Sequence, residues 1–251
     1  MMSLSSYTLE SGAPHLSIEG LSAGYDKLRV LDDVNLSVSP GETLAITGKN
    51  GVGKTTLLRA IMGQARIWSG SMMYGGQDLG KQPPSSRAGL GFGYVPQGRR
   101  IFPELSGWEN LAIAGFGSGR RDWKDEQKKI LDYFPSLREY LDRKGGSLSG
   151  GQQQLLALAR ALTLHPSILL LDEPSEGIQP NIVDQLVGVI EQFQSEFGLS
   201  VLLVEQNLGL IVEMASAVAI MDRGRIVKTI STGEGRIDAG IIESFLGFST
   251  A

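Results

Sequence analysis

The chain has 251 residues, with 23 lysines and arginines against 27 aspartates and glutamates, which gives a formal net charge of −4. This length fits one large domain or one domain with a subdomain, and the slight acidity argues against a dedicated nucleic-acid binder. The sequence has no cysteine and two histidines, which excludes disulfides, thiolate metal sites, a cysteine nucleophile and a histidine-rich metal site.

The distribution of apolar residues indicates where the protein works. No uninterrupted apolar run exceeds five residues, whereas a membrane-spanning helix needs roughly 18. The start, Met1–Ser6, has no basic stretch followed by an apolar one, so we expect no secretory signal. We therefore expect a cytoplasmic protein, which can still reach a membrane through a partner.

The first part of the chain predicts mainly strands. Alternating apolar residues over 16–47 indicate strands, and Lys54–Met62 has the composition of a helix ended by Gly63. Short strands are predicted at Met72–Tyr74 and Gly91–Val95.

The second part alternates helices with short apolar strands. The predicted elements are a helical block over Trp108–Lys144, a helix over 150–164, a strand at Ile168–Asp172, a helix over 181–196 and strands at Val201–Val204, Val218–Met221 and Arg225–Ile230. This alternation predicts a parallel α/β sheet, which the helical block interrupts as an inserted subdomain. We predict that the cluster of Trp108, Leu111, Ile113 and Phe116 forms core of that subdomain rather than a docking surface.

A glycine-rich loop carries the strongest motif. Residues Gly48–Thr55, the phosphate loop, match G-x-x-x-x-G-K-[ST] between a predicted strand and a predicted helix. Glycines let successive N–H groups face phosphates, and the helix N-terminus attracts negative charge. Lys54 can reach the β- and γ-phosphates, and the Thr55 hydroxyl is placed for Mg²⁺. The flanking elements disfavour the alternative, an ordinary glycine-rich turn.

Two acids, Asp172 and Glu173, end the most apolar predicted strand. Ligands of open α/β sheets bind at this end of the strands. Asp172 can hold hydrated Mg²⁺, and Glu173 can polarise a water for attack on the γ-phosphate. The alternative is a strand that ends in two solvated acids, which is less favoured beside a phosphate loop.

A second candidate phosphate site is Leu148–Gln152, directly before a predicted helix. Ser149 and the following glycine N–H groups can form a phosphate-binding nest, although an ordinary capped helix start explains the same residues. One chain cannot easily present two such nests to one γ-phosphate. The motif therefore predicts a head-to-tail dimer.

These motifs together resemble those of the ATP-binding cassette (ABC) transporter ATPases, over nearly the whole chain. The resemblance implies an α/β P-loop NTPase fold with a mainly parallel sheet core, an antiparallel β subdomain and an inserted helical subdomain. It implies one domain over 1–251, with a nucleotide-binding core at about 14–107 and 165–251 and a helical subdomain at about 108–164.

The resemblance also implies a role for each matching residue. Tyr25 corresponds to the aromatic residue that stacks on adenine, and Gln97 to the glutamine that touches the metal and attacking water and senses the membrane subunits. The implied catalytic residues are Glu173, Gln97 and Gln206, and the implied metal ligands are Thr55, Gln97 and Asp172. The implied nucleotide-binding residues are Tyr25, Gly48, Lys49, Asn50, Gly51, Val52, Gly53, Lys54, Thr55, Thr56, Ser149, Gly150, Gly151 and Gln152. The implied cofactors are ATP and Mg²⁺.

Without the resemblance, some of these residues have plainer interpretations. Tyr25 could instead be a core aromatic of a strand, and Gln97 a polar loop residue after Pro96. We predict that Arg99 and Arg100 form a solvated pair; the alternative, from their position in a loop, is a subunit contact.

Two positions depart from the general family pattern. Gln179 stands where an aspartate is usual, and Gln206 where a histidine usually contacts the γ-phosphate. These departures indicate slower ATP turnover at this chain's own site. The stretches 95–103, 176–180 and 204–207 resemble the second ATPase subunit of importers for branched-chain amino acids, or for urea and short amides.

The resemblance thus implies an ATPase that powers a branched-chain amino acid importer from the cytoplasmic face of the membrane. Its implied partners are a second ATPase subunit, two permeases and, indirectly, a solute-binding protein, with no nucleic acid; the isolated chain could also form a homodimer. The alternatives are a urea or short-amide importer and a catalytically weak ATP-binding partner. A DNA-repair or translation ABC protein is disfavoured by the single cassette and negative charge, and a P-loop kinase has no use for Leu148–Gln152.

Overall fold

The computed structural model describes residues 15–118, 123–231 and 237–246, so Met1–Ser6, which bear on the secretory signal, lie outside it. The strands are β1 (Leu16–Tyr25), β2 (Leu28–Val38), β3 (Thr43–Thr47), β4 (Arg66–Tyr74), β5 (Gln77–Asp78), β6 (Phe92–Val95), β7 (Ile168–Asp172), β8 (Ser200–Val204), β9 (Ala217–Asp222) and β10 (Arg225–Ser231). The helices are α1 (Lys54–Ile61), α2 (Gly107–Ser118), α3 (Trp123–Tyr133), α4 (Gly150–Leu162), α5 (Pro180–Phe197), α6 (Leu208–Met214) and α7 (Ala239–Leu246). Short 3₁₀ turns lie at Leu79–Lys81, Pro84–Ser86, Pro135–Tyr140 and Gly145–Ser147.

A six-stranded sheet in the order β10-β9-β3-β8-β7-β6 forms the centre of the fold. All its neighbours pair in parallel except β9 and β10. Alternate residues of β7 face two cores: Ile168 and Leu170 pack on the side of α1, and Leu169 and Leu171 on the side of α4 and α5. A strand covered on both faces needs a continuous apolar run, which is why β7 has one. The predicted parallel α/β sheet is confirmed.

A four-stranded antiparallel sheet, in the order β2-β1-β4-β5, shares a core with α1 and the central sheet. The prediction of a strand at Met72–Tyr74 was right but too short, because β4 already begins at Arg66, which pairs with Gly24. The segment crosses β1 at an irregularity where Gly70, at φ +89°, lies so close to Gly20 that a Cβ would meet its carbonyl carbon at 2.5 Å. Pairing with β1, rather than local propensity, extends this strand.

The helical segment over 107–162 contains α2, α3 and α4, and α4 also packs on β6. The predicted subdomain core is right for Leu111, which is fully buried, and wrong for Phe116, which is 73% exposed. The Phe116 ring instead contacts Trp123 at 4.8 Å between ring centroids. Within the described ranges, no helix has the length and apolarity needed to cross a membrane.

The carboxyl ends of four neighbouring parallel strands lie at the same edge of the central sheet. Strands β3, β8, β7 and β6 are consecutive neighbours, so the segments that follow them leave the sheet at the same edge. In open α/β sheets this edge is where ligands bind. The phosphate loop follows β3, and the candidate residues Gln97, Glu173 and Gln206 follow β6, β7 and β8.

Candidate functional site

The backbone of the phosphate loop accepts only glycine at its start. Gly48 has φ +156°, and a Cβ there would lie 2.3 Å from the carbonyl oxygen of Met221. Gly53, the N-cap residue directly before α1, has a left-handed conformation and makes no side-chain cap, and the first turn of the helix has no acidic residue. The N–H groups at this helix start are therefore suited to bind an anion such as a phosphate.

Lys54 is buried at the centre of the site, 5% exposed. Its Nζ donates to the carbonyl oxygens of Gly48 at 2.7 Å and Lys49 at 3.1 Å, and lies 3.8 Å from Oε1 of Glu173. Burial lowers the pKa of Lys54, and the nearby carboxylates, Glu173 foremost, oppose that change. The loop thus holds a cation at the place where the motif predicts phosphates.

Asp172 has an unsatisfied carboxylate oxygen. It is 1% exposed, its Oδ1 accepts a hydrogen bond from the Thr55 hydroxyl at 3.1 Å, and its buried Oδ2 has no hydrogen-bond partner. Burial raises the pKa of Asp172. An unpaired buried carboxylate oxygen next to a hydroxyl is a donor set that fits Mg²⁺. The described residues contain no group of three or more His, Cys, Asp and Glu side chains placed for a metal, so the remaining ligands would be phosphate and water oxygens.

The charged, partly unpaired carboxylate of Asp172 is expected to lower the stability of the folded protein. Because the pKa of Asp172 is higher in the folded than in the unfolded chain, the negative charge of its carboxylate opposes folding at neutral pH. We expect Asp172→Asn to stabilise the metal- and nucleotide-free protein at pH 8 by about 1–2 kcal/mol, seen as a thermal midpoint a few degrees higher. The difference should shrink as the pH falls through the folded pKa. Exposed Asp142→Asn is the control, and a lower midpoint for Asp172→Asn at pH 8 would contradict this account.

Glu173 adopts a conformation that is unusual for its residue type. It follows β7 with φ +49°, and its N–H donates to the carbonyl oxygen of Val204 at 2.8 Å. A left-handed conformation costs a non-glycine residue about 1–2 kcal/mol, and such strain is concentrated at functional sites. The tertiary structure keeps this strain and directs the carboxylate toward two amide donors.

Both oxygens of the Glu173 carboxylate accept hydrogen bonds from glutamines. Oε2 accepts from Nε2 of Gln97 at 3.0 Å, and Oε1 accepts from Nε2 of Gln206 at 2.6 Å. Gln206 also donates to Oδ1 of Asn50 in the phosphate loop at 2.9 Å. The structure therefore brings together the following predicted residues: Asn50, Lys54, Thr55, Gln97, Asp172, Glu173 and Gln206.

Tyr25 lies at the edge of this group rather than in the core. It is half-buried at the end of β1, and its hydroxyl accepts a hydrogen bond from Nη1 of Arg59 in α1 at 3.4 Å. The alternative interpretation, a strand aromatic packed in the core, does not fit this half-buried position, and Tyr25 belongs to neither hydrophobic core cluster of the described residues. Its position beside the helix that starts at the phosphate loop is compatible with an adenine contact.

Ser149 caps its own helix in the single chain. Its Oγ accepts from the Gln152 N–H at 3.3 Å, and its own N–H donates to Oε1 of Gln152 at 2.9 Å, which is a capping box. Across the described ranges, no hydrogen bond joins this turn to the phosphate loop. The exposed Ser149 remains available to another molecule.

Two further residues organise the site and were not predicted from the sequence. Glu205 is 3% exposed and accepts hydrogen bonds from the N–H and hydroxyl of Ser175 and from the N–H groups of Gln206 and Asn207. An acid directly after β8, as after β7, was the available signal. Arg100 is exposed as predicted, but Arg99 is half-buried and donates to the carbonyl oxygens that follow β7.

Comparisons with known proteins agree with this geometry. Residues 31–176, more than half of the chain, match the family described as ABC transporter. The high-affinity branched-chain amino acid transport ATP-binding protein BraG of Pseudomonas aeruginosa is 41% identical over 212 residues, which cover 84% of this chain and 91% of that protein. The probable branched-chain amino acid transport ATP-binding protein LivF of Archaeoglobus fulgidus is 37% identical over 206 residues, which cover 82% and 87%.

Solved structures show the same architecture. An ATP-binding cassette of an ABC transporter in its ADP conformation matches with a TM-score of 0.79 and 25% identity, covering 94% of this chain and 96% of the other. An ATP-binding subunit of an ABC transporter matches with a TM-score of 0.77 and 26% identity, covering 94% and 95%. The chain therefore belongs to the ABC transporter family, as one of its ATPases.

Proposed function

We propose that this chain is the ATP-hydrolysing subunit of an importer for branched-chain amino acids. The observation that carries the proposal is the similarity to BraG and LivF, which extends over more than four fifths of this chain. The intact phosphate loop and the Asp172-Glu173 pair support hydrolysis rather than ATP binding alone. A urea or short-amide importer, the alternative from the sequence, has the same chemistry at this site and differs only in the transported solute.

The chemistry that we assign to the site is phosphoryl transfer to water. The phosphate loop and Lys54 bind the phosphates, and Thr55 and Asp172, with Gln97, are the residues that would hold Mg²⁺. When bound, Mg²⁺ neutralises charge on the phosphate oxygens. Glu173 orients the attacking water and accepts its proton, while Gln206 donates a hydrogen bond beside it. Two glutamine amides keep the Glu173 carboxylate in place before the reaction.

The proposed partners follow from the nucleotide site, which a single chain leaves incomplete. Ser149 caps its own helix and makes no contact with the phosphate loop among the described residues, so a second cassette would supply the opposing nest. We assign this role to a related cassette in a heterodimer at the cytoplasmic face of the membrane. Two permeases would contact the pair, and the Gln97 loop would transmit their state. No nucleic acid has a role in this assembly.

Transport in vesicles tests the solute. The chain, its partner cassette and the two permeases are reconstituted into proteoliposomes with ATP inside and the solute-binding protein outside. We expect uptake of labelled leucine that unlabelled valine competes with and urea does not. Uptake of urea but not of leucine would assign the chain to a urea or short-amide importer instead.

A variant of the Leu148–Gln152 motif tests whether the two nucleotide sites of the proposed heterodimer differ in rate. Gln206 can donate a hydrogen bond but, unlike histidine, carries no positive charge near neutral pH, so we expect the partner's site to hydrolyse ATP faster. The isolated chain should bind ATP and turn it over slowly, and assembly should raise the rate. Ser149→Arg should strongly reduce the rate of the assembled transporter, whereas the exposed control Ser147→Arg should not. Full activity of the isolated chain as a homodimer would contradict the model.

A further inference from the structure

The Gln97 side chain lies between two carboxylates. Its Nε2 is 3.0 Å from Oε2 of Glu173 and 3.0 Å from Oε2 of Glu176. A primary amide has two N–H donors on this nitrogen, one for each carboxylate, and only acceptor capacity on its oxygen. A 180° flip of the amide would set that oxygen against both carboxylates. The two acids together therefore fix which end of the Gln97 amide faces them.

A turn after β7 brings Glu176 to this position. The Glu176 N–H donates to the carbonyl oxygen of Glu173 at 3.2 Å, and the next residue, Gly177, has φ +64°. Arg99, two residues beyond Gln97, donates from Nη2 to the carbonyl oxygens of Glu176 and Gly177 at 3.4 Å each. Its guanidinium thus joins the loop after β6 to the turn after β7 and keeps Gln97 near Glu176.

Three of these residues also border a polar cavity. Glu173, Glu176 and Arg99 line a cavity of about 300 Å³ together with Gln154 of α4. A polar cavity of this size accommodates several water molecules. Glu176 is therefore placed beside the proposed catalytic carboxylate and beside a space large enough for water. It forms no hydrogen bond to the phosphate loop among the described residues.

We propose that Glu176 is a positioning residue for ATP hydrolysis, an inference that rests on the proposed function. Its carboxylate holds the Gln97 amide with Nε2 toward Glu173. The amide oxygen, the ligand type that Mg²⁺ prefers, is thereby the end left for the metal and the water. Glu176 acts through Gln97, not on the nucleotide.

Three variants separate this role from a purely structural one. Glu176→Gln keeps an acceptor oxygen for Gln97, so it should retain most of kcat. Glu176→Ala removes the acceptor and should lower kcat about 3- to 10-fold with little change in KM for ATP, because this exposed hydrogen bond is weak and the phosphate loop is untouched. Glu176→Lys attracts the amide oxygen instead and should lower kcat further. Glu191→Lys, on an exposed position of α5, is the matched control with unchanged kcat.

A second measurement needs neither nucleotide nor metal. The side-chain NH₂ signal of Gln97 in ¹⁵N-labelled protein is identified by its loss in Gln97→Ala. We expect this signal to shift in Glu176→Ala and Glu176→Lys and to keep its position in Glu191→Lys. Thermal unfolding midpoints of all variants should match that of the wild type.

The outcomes are distinct. Wild-type kcat together with an unmoved Gln97 signal in both Glu176→Ala and Glu176→Lys would overturn the positioning role. Equal losses of kcat in all three Glu176 variants, together with lowered unfolding midpoints, would overturn the positioning role in favour of a structural one. A wild-type protein, assembled with its partners, that hydrolyses no more ATP than its Glu173→Gln form would show that the proposed function itself fails.

Discussion

Replacing Glu173 by glutamine is expected to lower kcat for ATP hydrolysis by about 10²- to 10⁴-fold while ATP still binds. The amide keeps the size of the carboxylate but loses the basic oxygen that accepts the proton of the attacking water. In the wild type, this carboxylate accepts from Gln97 at 3.0 Å and from Gln206 at 2.6 Å. Both contacts come from N–H donors. A glutamine at position 173 has one acceptor oxygen where the carboxylate has two, so one of the two donors would face its NH₂ group.

The measurement is steady-state hydrolysis of Mg-ATP by the assembled transporter, with size-exclusion chromatography of the cassettes as a second readout. Because ATP binds but is not consumed, the ATP-bound dimer should accumulate in the Glu173→Gln variant. Glu191→Gln, an exposed position on α5, is the matched control and should behave as wild type. Unchanged turnover in Glu173→Gln would assign the catalytic role to another residue.

Replacing Lys54 by alanine is expected to lower nucleotide affinity by about 10- to 100-fold, the value of one or two charge-assisted hydrogen bonds. The Lys54 side chain is 5% exposed, and its ammonium donates to the carbonyl oxygens of Gly48 and Lys49. A bound phosphate would compete for the same ammonium protons. Loss of this cation also leaves the nearby Glu173 carboxylate, 3.8 Å away, uncompensated beside the incoming negative charge.

Titration calorimetry with ADP measures this effect without hydrolysis. Lys228→Ala, an exposed lysine of β10, controls for the loss of one positive charge and should bind as wild type. Its result separates a local contact from a general change in net charge. An ADP affinity of Lys54→Ala equal to that of the wild type would refute the assignment of the phosphate loop.

Much of the site could be predicted from the sequence because its motifs are local. Gly48–Thr55 combines a strand end, glycines and a helix start in eight consecutive residues, and each feature acts on its neighbours along the chain. The acids at the end of β7 were found for the same reason: an apolar run predicts a buried strand, and polar residues at its end predict a ligand edge. The alternation of these elements also determined the α/β class.

Only the tertiary structure decided which of these residues meet. The bonds from Gln97 to Glu173 and Glu176 span 76 and 79 positions, and they exist because β6 lies next to β7. Hydrophobic periodicity indicates which face of a strand is buried, but it does not give the order of strands in a sheet. The exposure of Phe116 and the half-burial of Arg99 likewise depend on neighbours far along the chain, to which local patterns are insensitive.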